Sequence, residues 1–232
     1  MYCHSCGTQL SNDANFCTDC GAKISENNQS FSTATPSNSM DESVINIPVK
    51  GTGNIIFDKF GVEHNGKKFM YSDIDGVSFY AKNTSINLIP VSQMYYVKIT
   101  SGSEKISFNF GSSLYIGNKA KKDTYTQIIV AIHSKIFPLV LKKLVDNIFE
   151  RGLPVIIGGV TFSNNGCSTK GILSQTFVGW PQIAETNFRN GSVILHKIEN
   201  NKVKSLASVS MSVLNAVVIP DLIVICKRVL GV

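Results

Sequence analysis

The chain has 232 residues, 43% of them hydrophobic and 16% charged, with a formal net charge of +6. That length allows two modest domains plus a small appendage. The longest apolar stretch, residues 128–149, is interrupted by His133, Lys135, Pro138, Lys142 and Lys143, which argues against a helical membrane span. Charge is uneven along the chain: −1 over residues 1–25, −3 over 26–47, +5 over 48–150 and +5 over 151–232. The basic excess therefore belongs to the two large segments. Met1 is followed by Tyr-Cys-His with neither a basic n-region nor an apolar h-region, so a cytoplasmic, reducing location is expected. Under those conditions cysteines are read as thiolates before disulfides.

Four of the six cysteines lie within the first twenty residues, as Cys3-x-x-Cys6 and Cys17-x-x-Cys20. Two residues between thiols put both sulfurs on one tight turn, at the separation of two vertices of a tetrahedron. Gly7 and Gly21 follow the pairs, where a turn with φ > 0 lets backbone N–H groups face the thiolates. Two disulfide-bonded or idle pairs are the plainer alternative; a redox dithiol needs a βαβ context that is absent here. Through Cys-x-x-Cys-Gly twice, with an apolar residue shortly after each, residues 1–24 resemble the zinc-ribbon family. The resemblance implies one structural zinc ion per chain, held by Cys3, Cys6, Cys17 and Cys20. A piece this short buries little apolar surface, and zinc binding worth about 10–16 kcal/mol supplies the deficit.

Residues 25–47 follow as a flexible linker, rich in Ser, Asn, Thr and acid up to residue 43. From residue 48 the pattern becomes short alternating strands. Asn65-Gly66 and Ser101-Gly102 mark hairpin turns. A helical stretch runs from about Asp123 to Arg151, with a kink or break at Pro138, where the apolar face rotates. The grammar then restarts. Phe57-x3-Gly61-Val62 and Tyr71-x-x-Ile74 have counterparts in Phe162-x3-Gly166-Cys167 and Trp180-x-x-Ile183. Phe57 should fall on Phe162, with Tyr71 and Trp180 near the core.

Each half ends in an apolar segment, the second near Pro220, which suits the first turn of a helix. On these residues the body resembles tandem bacterial pleckstrin-homology-like domains. That likeness implies a mainly β protein with some α: two small barrels, 48–150 and 151–232, each closed by a C-terminal helix.

No motif for a reaction appears. None of His4, His64, His133 and His196 belongs to HExxH, and Gly51-Thr-Gly53 opens no phosphate loop because no helix pattern follows it. Asp73 and Asp75 flank Ile74 and read as a solvated strand face. Cys167 follows a turn and reads as an unremarkable thiol, and Cys226 as a core thiol.

The expected function is therefore non-enzymatic: a cytoplasmic binding or adaptor protein that docks a protein or peptide partner. The alternative is recruitment to an anionic membrane surface through Lys67 and Lys68 at a barrel rim, as the pleckstrin-homology resemblance implies. Nucleic-acid binding by the ribbon ranks third. The ribbon carries one lysine, Lys23, against Asp13 and Asp19, and so lacks a cationic footprint.

Overall fold

A computed structural model describes residues 44–86, 89–112, 118–170 and 175–232. The first four strands, β1 (Ile45–Val49), β2 (Gly53–Phe57), β3 (Gly61–His64) and β4 (Lys67–Met70), form an antiparallel sheet in chain order. A three-stranded antiparallel sheet follows: β5 (Gly76–Ile86), β6 (Ile89–Ser101) and β7 (Glu104–Ser112). Helices α1 (Asn118–Lys135) and α2 (Phe137–Phe149) complete the first half. The second half repeats the four-plus-three order. Its first sheet holds β8 (Val155–Ile157), β9 (Val160–Ser163), β10 (Gly166–Lys170) and β11 (Gln175–Gly179). Its second holds β12 (Asn187–Arg189), β13 (Ser192–Glu199) and β14 (Lys202–Ser210), before helix α3 (Ile219–Leu230).

The local chemistry explains these elements. Asn65 and Gly66 both adopt positive φ (51° and 74°), the type I′ geometry that lets β3 and β4 pair through a two-residue turn. The helical stretch breaks at Ile136, and Pro138 sits in the first turn of α2, where its missing N–H costs nothing. Pro220 occupies the same place in α3. The two helices bury matching positions: Phe137, Val140, Leu141 and Leu144 in α2, and Ile219, Leu222, Ile223 and Cys226 in α3. Both follow the i, i+3, i+4, i+7 stripe of a helix that seals a sheet.

The internal repeat is present in the strand register. Phe57 pairs with Val62, and Phe162 with Cys167; all four are fully buried. Tyr71 and Trp180 are buried too, just beyond their strands and not on them. The Tyr71 hydroxyl donates to the carbonyl oxygen of Asp58 (3.0 Å), the residue after Phe57. The Trp180 Nε1–H donates to that of Ser163 (3.1 Å), the residue after Phe162. Each aromatic thus satisfies its polar atom on the same turn while its ring enters the core. Ile74 and Ile183 occupy matching core sites, and a helix lysine donates to the carbonyl of each: Lys143 Nζ to Ile74 (2.7 Å) and Lys227 Nζ to Ile183 (2.6 Å).

Two barrels are expected from the strand grammar, but no closed barrel forms among the described residues. The strands make four open antiparallel sheets. In each half the chain leaves the fourth strand through a turn that carries the large aromatic inward, so the fourth and fifth strands do not pair. Helices cover the sheets instead: α1 packs on β1 and β7, and α2 reaches β8, β9 and α3. The buried apolar residues of both halves form one continuous cluster. A second junction is Asn215, in left-handed conformation (φ 64°). Its side chain accepts from the Val77 N–H (2.9 Å) and donates to the Asp75 carbonyl (3.1 Å).

Candidate functional site

The expected zinc ligands Cys3, Cys6, Cys17 and Cys20 lie outside the described residues, as do residues 25–43 of the expected linker. Strand β1 already begins at Ile45, before the expected end of that linker.

Lys67 and Lys68 flank the β3–β4 turn, and both are engaged by acids. Lys67 Nζ lies 2.8 Å from Glu104 Oε2 and 5.4 Å from the Phe69 ring centroid. Lys68 pairs with Asp58. That lysine, with the Phe60 and Gly61 N–H groups at 2.7 Å each, holds the Asp58 carboxyl below its usual range. The rim therefore presents two neutralised cations.

The remaining titratable candidates fall into separate places. Asp73 and Asp75 lie in the turn between β4 and β5, not on a strand face, and they have different partners. Asp73 accepts from the Ser72 hydroxyl; Asp75 accepts from Thr100 Oγ1 (2.5 Å) and the Gly102 N–H (2.8 Å), tying down the β6–β7 turn. His64 is buried against Phe108, with Nδ1 3.0 Å from the Asn54 carbonyl. His133 packs between Phe79 and Phe137. His196 sits 3.1 Å from the Glu185 carbonyl. Cys167 and Cys226 are fully buried, and burial pushes their thiols up to about 11 and about 12. They are protonated core groups, without the cationic surroundings that activate a thiolate. Among the described residues no three His, Cys, Asp or Glu side chains converge on a metal site.

The feature that sequence reasoning did not single out is an edge. Strands β7 and β14 each have nine residues and each ends its three-stranded sheet. Strand β7 lies against α1, an 18-residue helix without a counterpart in the second half. Between β14 and α3 the chain makes only a short 3-10 turn, Ala216–Val218, and among the described residues no strand pairs with the outer edge of β14, where Lys202, Val203, Lys204 and Ser205 are exposed. Val203 is 67% exposed. Only comparison of the two halves reveals the vacancy; the strand's own sequence signals a strand and nothing more.

No helix among the described residues is long and apolar enough to cross a membrane. No curated protein and no solved structure matches the chain. Residues 2–27 match the zinc-ribbon domain family. That family implies a structural zinc, and the four cysteines of the matched segment are the thiolate donor set that a closed tetrahedral zinc shell takes. The N-terminal segment of this chain is thus a zinc-ribbon domain.

Proposed function

We propose that this protein is a non-enzymatic cytoplasmic adaptor. Its ribbon is a structural module, closed by one zinc on Cys3, Cys6, Cys17 and Cys20. Its body consists of two pleckstrin-homology-like units, over about 48–150 and 151–232, that present a docking edge for an extended peptide. The observation that carries this reading is the open edge of β14. A strand whose outer edge has no strand partner among the described residues can accept an added strand, main-chain hydrogen bonds giving affinity and alternate side chains giving selectivity. Recruitment to anionic lipid through the β3–β4 rim draws less support, because Lys67 and Lys68 are already spent on Glu104 and Asp58.

Peptides selected from a display library against the full chain test the docking reading by amide hydrogen exchange. Bound peptide should protect amides within 202–210. Alternate residues of an edge strand direct their N–H outward, so Val203→Pro and Lys204→Pro bracket the contact. One of the two should weaken binding more than tenfold with the fold retained. Protection confined to other strands would sink the assignment.

A further inference from the structure

The outer face of the β5–β7 sheet gathers a set of residues that are far apart in sequence. Val77, Phe79, Tyr95, Val97, Ile99, Ile106, Phe108 and Phe110 point into the core, so the alternate positions face outward. On that outward face Tyr80, Tyr96 and Asn109 stand in one cross-strand row. The two tyrosine rings stack, with centroids 4.7 Å apart and planes 9° from parallel. Lys98 is one outward step from Tyr96 on β6, Lys105 lies beyond it on β7, and Lys82 is one outward step from Tyr80 in the opposite direction on β5. At about 3.3 Å per residue and about 4.8 Å between strands, the lysines define a diagonal of about 22 Å that crosses the tyrosine stack.

None of these three lysines has an ion-pair partner among the described residues, and no acid occupies an outward position of the three strands. Asp75, at the Lys105 end, already has its carboxylate on Thr100 and Gly102. The fold does not require this arrangement. The Asp75 N–H bond to Thr100 O corresponds to that from Ala184 to His196 O in the second half. By that match Ser192 and Ile194 stand where the first half has Tyr96 and Lys98. One of two copies of the same sheet has thus acquired a cationic, aromatic face.

We propose that this face binds single-stranded nucleic acid, with bases on the Tyr80–Tyr96 stack and phosphates on Lys82, Lys98 and Lys105. Aromatic rings set among spaced cations suit a polyanion that carries flat, sequence-tolerant stacking groups. An acidic peptide offers the charge without the stacking partner. The site lies on a different sheet from the β14 edge.

The test uses the zinc-loaded full chain and a fluorescein-labelled single-stranded 12-mer of thymidine or uridine, read by anisotropy. Three phosphate contacts predict a slope of log affinity on log salt of about −2. Lys82→Glu with Lys98→Glu and Lys105→Glu should weaken binding at least tenfold and flatten that slope. Tyr80→Ala with Tyr96→Ala should weaken it about tenfold or more, consistent with about 1–3 kcal/mol per stacked base, and leave the slope unchanged. Tyr80→Phe with Tyr96→Phe keeps the rings and should bind within about twofold of the parent, a comparison that holds even if the alanine pair unfolds. Lys202→Glu with Lys204→Glu, on β14, should have no effect. Absence of binding at about 50 mM salt would overturn the proposal, as would binding indifferent to both the lysine and tyrosine changes. So would lysine-dependent capture of an acidic peptide or an anionic vesicle in place of the oligonucleotide.

Discussion

Gly61 and Gly166 show how one residue can hold a register. A Cβ on Gly61 would lie 2.0 Å from the Phe69 carbonyl oxygen, and one on Gly166 2.2 Å from that of Val178. Backbone cannot yield as a flexible side chain does, so strand β3 or β10 would have to separate from its neighbour. Gly61→Ala and Gly166→Ala should each lower stability by about 3 kcal/mol in urea unfolding. Gly179→Ala, whose new Cβ would meet only ordinary contacts at 3.8 Å, should change it by less than about 0.5 kcal/mol. Thiol reactivity separates the two kinds of cysteine. At pH 8 a disulfide reagent should find about four reactive thiols after zinc is chelated and six after denaturation, since Cys167 and Cys226 are buried and protonated. Six reactive thiols in the folded, chelated protein would contradict the buried assignment.

Among the elements, the β13–β14 hairpin carries the plainest pH dependence. Glu199 pairs with Lys204 and, at 3.0 Å, with Lys197, and these lysines hold its carboxyl down to about 2 from an ordinary 4.5. A folded-state value below the unfolded one stabilises the hairpin at pH above about 4.5, and this support fades as pH falls toward about 2. Protection factors of the amides in 197–204, taken relative to the intrinsic exchange rate at each pH, should therefore fall over that window, while Glu199→Gln removes this change. These side chains lie at the surface, so the effect should be small and should shrink in high salt. Helix α2 has a different role. It touches the first half through Lys143, and it packs on β8, β9 and α3 of the second, so a single element serves both halves.

For the whole molecule, the shared helix and the Asn215 clamp join the two halves around one buried cluster. The two repeats should unfold in a single calorimetric transition, although they restart the same strand order. Asn215→Ala leaves the Val77 N–H without its partner and should lower that transition by about 1–3 kcal/mol without splitting it. Two resolved transitions in the parent protein would mean that the halves fold independently. Cys17→Ser should abolish the full equivalent of bound zinc, while the transition of the body stays nearly unchanged.

The sequence by itself determined the features that depend on local chemistry. Paired Cys-x-x-Cys-Gly spacings marked the ribbon, because metal geometry constrains neighbours along the chain. Asn65-Gly66, Pro138 and Pro220 marked a turn, a helix break and a helix start, because each acts through its own backbone torsions. The recurrence of Phe57-x3-Gly61 as Phe162-x3-Gly166 was legible as well, since both copies satisfy the same close approach of strands. Tertiary structure alone decided the rest. It withheld barrel closure, because the buried aromatics Tyr71 and Trp180 turn the chain away from strand pairing. It assigned Lys67 and Lys68 to Glu104 and Asp58, one of them 37 positions away in the chain. It left β14 without the helix that flanks β7, and it brought Lys82, Lys98 and Lys105 onto one face from three strands. Charge along a sequence is a one-dimensional average, whereas cross-strand register sets which cations and acids become neighbours.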